Sequence, residues 1–271
     1  MKKRKRTLLW QLEGEHVANP CFVFGTMHVR DQLAFSALPQ LYECIDQCDA
    51  VATEFRLDDL EASGHRSSAF SLSTPPLDTL YSSKVYQKMR RILLRHFGLH
   101  LDMMKHMPPF LILNFINEQL LAKDMPLSLD EQLSAYAKSQ EKPCLGVETL
   151  EEQMALLQKI PLKHQLKALR SLVQNLKKHR TQLLKLGDLY ATGDPVRIYK
   201  ATRDGAGGLR KLLIFDRNEL MAERIERLCN IQSTFIAIGA GHLVGGKGVL
   251  RFLKQRGFKV LPIPLFNRNS P

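Results

Sequence analysis

Near each end of the chain an apolar, strand-like run is closed by Gly-x-x-His. The two copies are Cys21-Phe-Val-Phe-Gly25-Thr-Met-His28 and Phe235-Ile-Ala-Ile-Gly239-Ala-Gly-His242. A short apolar run bounded by a turn residue reads as a buried strand, and glycine supplies the freedom to leave it sharply. One such motif is weak. Two, at opposite ends of the chain, constrain the fold. If both strands lie in one sheet and run the same way, both imidazoles emerge at its C-terminal edge. That is where open α/β sheets place ligands.

The rest of the chain supplies further strands and many helices. Leu8–Leu12 and Cys21–Phe24, separated by Asn19-Pro20, suggest a hairpin. Phe35–Cys48 has helical spacing, and Ala50–Phe55 (AVATEF) reads as a buried strand. Ser63–Pro76, rich in Ser, Thr and Pro, is the candidate mobile loop and a possible lid. Helices are expected over Val85–Phe97, from Pro108-Pro109 through Leu120, and over Leu129–Ala137. Pro143–Glu148 reads as a strand, followed by a capping box in Thr149-Leu-Glu-Glu152. Leucines from Leu166 to Leu184 line one face of what reads as a single long basic helix. Gly193-Asp194-Pro195 interrupts the helical region, and Leu212–Leu228 is helical again. Strand Phe235–Ile238, helix Val249–Gln255 and strand Lys259–Pro264 close the chain. The expected class is α/β: a mixed sheet built from N- and C-terminal strands around a large helical insertion. The 271 residues are read as one domain, with 1–7 a basic tail and about 80–230 the insertion.

Composition narrows the function classes. The hydrophobic fraction of 44% and the five cysteines exclude a collagen-like chain, a wholly disordered chain and a disulfide scaffold. No apolar run reaches the roughly 18–20 residues of a membrane-spanning helix. The net charge of +12 suggests nucleic acid at first sight. Five of the excess charges, however, lie in Lys2–Arg6 and seven in Lys163–Leu186, and without them acids and bases balance. Aromatic interleaving is absent from both patches, so a solvated face is the plainer reading and no nucleic acid is expected. Only Leu8, Leu9 and Trp10 follow the basic start before Gln11, too few for a signal-peptide core. Scattered cysteines without a CxxC pair fit reduced thiols, and the expected location is the cytoplasm.

The chemistry converges on four positions. His28 and His242 follow the two Gly-x-x turns, while Glu54 and Glu148 sit at the ends of their own strands. Two imidazoles and two carboxylates suit a divalent zinc, manganese or cobalt ion. Such an ion lowers the pKa of bound water. Glu54 is a candidate ligand or general base, and Arg217 the candidate to polarise a substrate carbonyl. Plainer roles stand beside these. A lone histidine after a strand is commonly structural, Glu54 needs a partner if buried, Glu148 could support the next helix N-terminus, and Arg217 could be solvated. Gly241–Gly248 approximates a phosphate-binding loop but has Gly248 where a Ser/Thr hydroxyl is required.

Taken in order, these residues resemble the TraB/GumN family, which includes pheromone-shutdown proteins and Tiki-type metalloproteases. The resemblance runs over roughly residues 8–265. It is carried by Gly25–His28, Glu54, Leu129-Asp130, Lys142–Gln153, Tyr190–Asp194, Arg217-Asn218 and Gly239–His242. It implies a fold related to erythromycin esterases and ChaN-like proteins. It also implies a site built from both histidines, a strand glutamate and an arginine, with metal-dependent hydrolysis of a peptide, amide or ester. The partner would be a peptide or small-molecule substrate. The alternative is a non-catalytic protein that sequesters a peptide or small ligand in the same cleft.

Overall fold

The computed structural model describes residues 7–15, 17, 20–56, 58, 75–121 and 124–265. The basic segment Lys2–Arg6 and residues 63–74 of the expected loop lie outside them. The chain forms two compact units, one from residues 1–60, 123–153 and 186–271, the other from 61–122 and 154–185.

The first unit is built on a six-stranded sheet of β1 (Leu9–Glu13), β2 (Cys21–Thr26), β3 (Ala50–Thr53), β4 (Cys144–Gly146), β5 (Thr234–Gly239) and β6 (Lys259–Ile263). The order is β4-β3-β5-β2-β1-β6. β2, β3 and β4 run parallel with β5 or with one another, and β1 alone opposes its neighbours β2 and β6. The sheet is therefore mixed, with strands from both ends of the chain at its centre. β2 and β3 are buried at every position and β5 at all but its last. This explains why their sequences are continuous apolar runs rather than alternating ones.

The pairing that matters most is β2 with β5. Gly25 stands opposite Ile238 and Thr26 opposite Gly239. Both Gly-x-x-His turns thus leave the same edge of the sheet side by side. Gly25 is required by close approach: a Cβ there would lie 2.5 Å from Leu243 Cδ1 and 3.0 Å from Ala240 Cα. The helical turn Ala240–Leu243, which carries His242, packs directly on the bare backbone of β2. Tyr190, buried, donates its hydroxyl to Gly25 O at 2.7 Å and pins the end of β2.

Other local expectations hold. Thr149 and Glu152 form the reciprocal capping box, with Thr149 N donating to Glu152 and Glu152 N to Thr149 Oγ1. The helical region is interrupted at Gly193-Asp194 as expected, and there Asp194 caps the helix Pro195–Ala206 by accepting from Val196 N and Arg197 N. One expectation needs correction. The long basic helix is two helices, Leu162–Gln174 and Leu176–Ala191, broken at Asn175. The Asn175 side chain donates to Ser171 O. Asparagine amides compete with helical hydrogen bonding in this way, which favours helix ends. Its seven basic side chains are all exposed.

The second unit is helical. Ser83–Phe97, Pro109–Leu120 and Leu162–Gln174 pack around buried Met89, Leu93, Ile112, Ile116, Leu169 and Leu172. Gly98 ends the first of these helices at φ +67°, the left-handed conformation in which glycine carries no penalty. No helix among the described residues is long and apolar enough to cross a membrane.

Candidate functional site

At the C-terminal edge of the sheet, Glu54 follows β3, Glu148 follows β4 and His242 follows β5. Arg217 reaches them from the helix Asp216–Ile231. Parallel pairing of β3 with β4 and β5 brings these strand ends together. A guanidinium between two carboxylates is the result. Arg217 Nε donates to Glu148 Oε1 at 3.0 Å and to Oε2 at 3.2 Å, and Nη2 bonds both Glu148 Oε2 and Glu54 Oε2. Gln153 Nε2 adds contacts to both acids, at 3.3 Å to Glu148 and 3.5 Å to Glu54.

The remaining oxygen of Glu54, Oε1, accepts from Gly239 N at 2.7 Å. That bond depends on the second motif glycine, because a Cβ on Gly239 would stand 2.8 Å from the same oxygen. Burial pushes the Glu54 carboxyl up. The opposing pull of His242, of Arg217 and of the Gly239 N–H brings it below the usual carboxylate value. Burial also disfavours the charge on Arg217. Its bonds to Glu148 and the charges of both acids outweigh that and hold it protonated throughout.

His242 is 8% exposed and tightly held. Its Nδ1 lies 2.6 Å from Asn218 Oδ1, while Asn218 Nδ2 donates to Lys247 O at 2.6 Å. With the amide nitrogen committed to a carbonyl, the Asn218 oxygen must face the ring, so Nδ1 carries the proton. Nε2 is then a lone pair. It faces Arg217 Nη1 at 3.4 Å and lies 3.9 Å from Glu54 Oε1. Burial, helped by the Arg217 charge and opposed by the two acids, lowers the imidazole pKa and favours the neutral ring.

His28 sits apart from this cluster. Its side chain is 58% exposed, and Nδ1 lies 3.5 Å from Asp130 Oδ2. Asp130 itself is buried and accepts the Thr26 hydroxyl at 2.7 Å. Glu54, Glu148, Arg217 and His242 are thus brought together, and His28 stands at the neighbouring strand end, facing a different acid. Sequence reasoning singled out none of Asn218, Gln153 and Asp130 for a role. Each stands within a segment that carries the family resemblance, and Asn218 directly follows Arg217, already suspected.

A divalent ion was expected on His28, Glu54, Glu148 and His242. Their donor atoms suit such an ion in kind. Their arrangement does not. All four oxygens of Glu54 and Glu148 are taken by Arg217, Gln153 or the Gly239 N–H. Among the described residues no group of three or more His, Cys, Asp or Glu side chains could hold a metal ion. The guanidinium occupies the position between the acids that a cation would need.

Fold and site together define an α/β protein with a polar cluster at the carboxyl ends of parallel strands. A model of the TraB/PrgY/gumN family matches residues 8–262, and the chain belongs to that family. The metalloprotease TIKI2 of Danio rerio is 26% identical over 330 residues, an alignment covering 97% of this chain and 62% of that protein. The chain thus spans less than two thirds of the relative's length. No solved structure matches it, so the expected likeness to erythromycin esterases and ChaN-like proteins rests on the resemblance alone.

Proposed function

We propose that this chain is a hydrolase acting on the carbonyl of a peptide, or of a related amide or ester. The observation that carries the reading is His242. It is a buried imidazole with its proton anchored on Asn218 and its lone pair beside a fixed guanidinium. In this reading Nε2 takes a proton from water, and the hydroxide oxygen bonds to the substrate carbonyl carbon. Arg217 Nη1 faces the developing oxyanion. Collapse breaks the C–N or C–O bond, and the proton held on Nε2 passes to the leaving nitrogen or oxygen. Glu54 and Glu148 hold Arg217 in place, so its orientation costs nothing at the moment of reaction.

The metal-dependent form of the reading draws support from the relative's printed name. It assigns zinc, manganese or cobalt to His28, Glu54, Glu148 and His242, and it requires the acids to exchange Arg217 for the ion. Five free cysteines support a reducing, cytoplasmic setting.

The test combines turnover with metal content. Purified protein, reconstituted separately with each of the three metals and with none, is assayed on peptide and p-nitrophenyl ester libraries beside His242→Ala, and its metal is measured by mass spectrometry. Turnover that falls at least about a hundredfold in His242→Ala supports the hydrolase. Stoichiometric metal that is lost in His28→Ala/His242→Ala supports the metal-dependent form. Ligand binding without turnover under every condition overturns hydrolysis in favour of sequestration.

A further inference from the structure

Each of the two motif histidines has a buried side chain from another part of the chain set against its Nδ1. For His242 the partner is Asn218, completely buried, with Oδ1 at 2.6 Å. For His28 it is Asp130, 8% exposed, with Oδ2 at 3.5 Å. Neither partner is free to turn. Asn218 is locked by Lys247 O, and Asp130 Oδ1 is held by the Thr26 hydroxyl at 2.7 Å. Asp130 Oδ2 is buried without a hydrogen bond. A buried carboxylate oxygen left in that state is costly, and the imidazole Nδ1–H is a donor set in front of it.

The register makes the two arrangements counterparts. Thr26, which orients Asp130, stands opposite Gly239, whose N–H orients Glu54 beside His242. We propose that Asp130 and Asn218 are matched positioning residues: each accepts a hydrogen bond from the Nδ1–H of one motif histidine and so presents its Nε2 as a lone pair at the sheet edge. The assignment rests on the hydrolase reading for its purpose but not for its geometry. An Nε2 lone pair serves a general base and a metal ligand equally, since a ligating histidine also needs its other nitrogen anchored. The pairing supplies a reason for two unlike residues, a carboxylate and a carboxamide, to stand at equivalent places. Both offer an acceptor oxygen, which is all the Nδ1–H requires.

The experiment is ring-nitrogen NMR on the full chain labelled with 15N-histidine, at a pH where the imidazoles are neutral. A neutral imidazole free in water prefers its proton on Nε2. The expected result is the reverse for both His28 and His242, with the proton on Nδ1 and the lone-pair signature on Nε2. Asp130→Leu should return His28 alone to the Nε2–H form, and Asn218→Leu should do the same for His242 alone. Asp130→Asn, which keeps an acceptor oxygen, should retain the wild-type signature of His28. A wild-type His28 carrying its proton on Nε2 would overturn the assignment even if no variant folded. So would leucine variants that fold and leave the rings unchanged. None of these readings depends on turnover. A hydrolase reading that failed would leave the tautomers as expected, and tautomers that failed would leave turnover to be judged separately.

Discussion

Arg217 is the residue on which the most charge depends. Two acids, Glu148 almost fully buried and Glu54 largely so, share its guanidinium. Arg217→Met would leave both without their cation. Removing one partner of a buried ion pair costs about 3–5 kcal/mol, because the stranded charge keeps its desolvation penalty. Urea unfolding at neutral pH should show that loss. The deficit should shrink on acidification, since Glu54, no longer held down by the Arg217 charge, takes up a proton more readily and so sheds its charge. In the wild-type protein the sign is opposite. His242 and Glu54 both have lowered pKa values in the folded state. As pH falls below the ordinary histidine value, the unfolded chain binds a proton that the folded ring resists, and stability falls. Below the ordinary carboxylate value Glu54 adds a second loss in the same direction. Urea midpoints compared at pH 7.5 and 5.5 should therefore drop in the wild type and drop less in His242→Gln. These charges were legible as residue types at strand ends. Asn218 and Gln153 were not, because an amide carries no charge signature and its role appears only when its partner is known.

At the scale of the element, the second motif works because Gly25 lets its turn approach the backbone of β2 and Gly239 leaves room for the Glu54 carboxylate. Gly25→Ala would place a methyl 2.5 Å from Leu243 Cδ1 and force the turn bearing His242 away from β2. Overpacking of this kind costs about 1–3 kcal/mol. Thermal unfolding should report it, and the Asn218-anchored His242 signal should broaden or split. Helix and strand identities were largely readable, since they follow from spacing along a few consecutive residues. The capping box at Thr149–Glu152 was readable for the same reason. Its acid also bonds Arg224, chiefly through its side-chain hydrogen bonds, and is pulled down to about 2. The break at Asn175 was missed. The leucine spacing continues through it, and a pattern of apolar positions does not register one side chain turning back on its own helix.

For the whole molecule, the two units have separate cores and so separate vulnerabilities. Met89, fully buried among Leu93, Ile112 and Leu172, holds the helical unit. Met89→Ala should cost about 2–5 kcal/mol in that unit, read as a lower unfolding midpoint, while the ring-nitrogen signals of His242 keep their native positions before the transition. The amino-acid sequence by itself determined the apolar strands, the glycines that end them, the helical middle and the residues able to do chemistry. All of these are written in spacings of two to four residues, the range over which backbone geometry acts. Only the tertiary structure decided that β2 and β5 lie side by side and parallel, that Arg217 fills the space between Glu54 and Glu148, and that His28 and His242 answer to different partners. Those outcomes are settled by packing and charge between residues far apart in the chain, where no local period carries information.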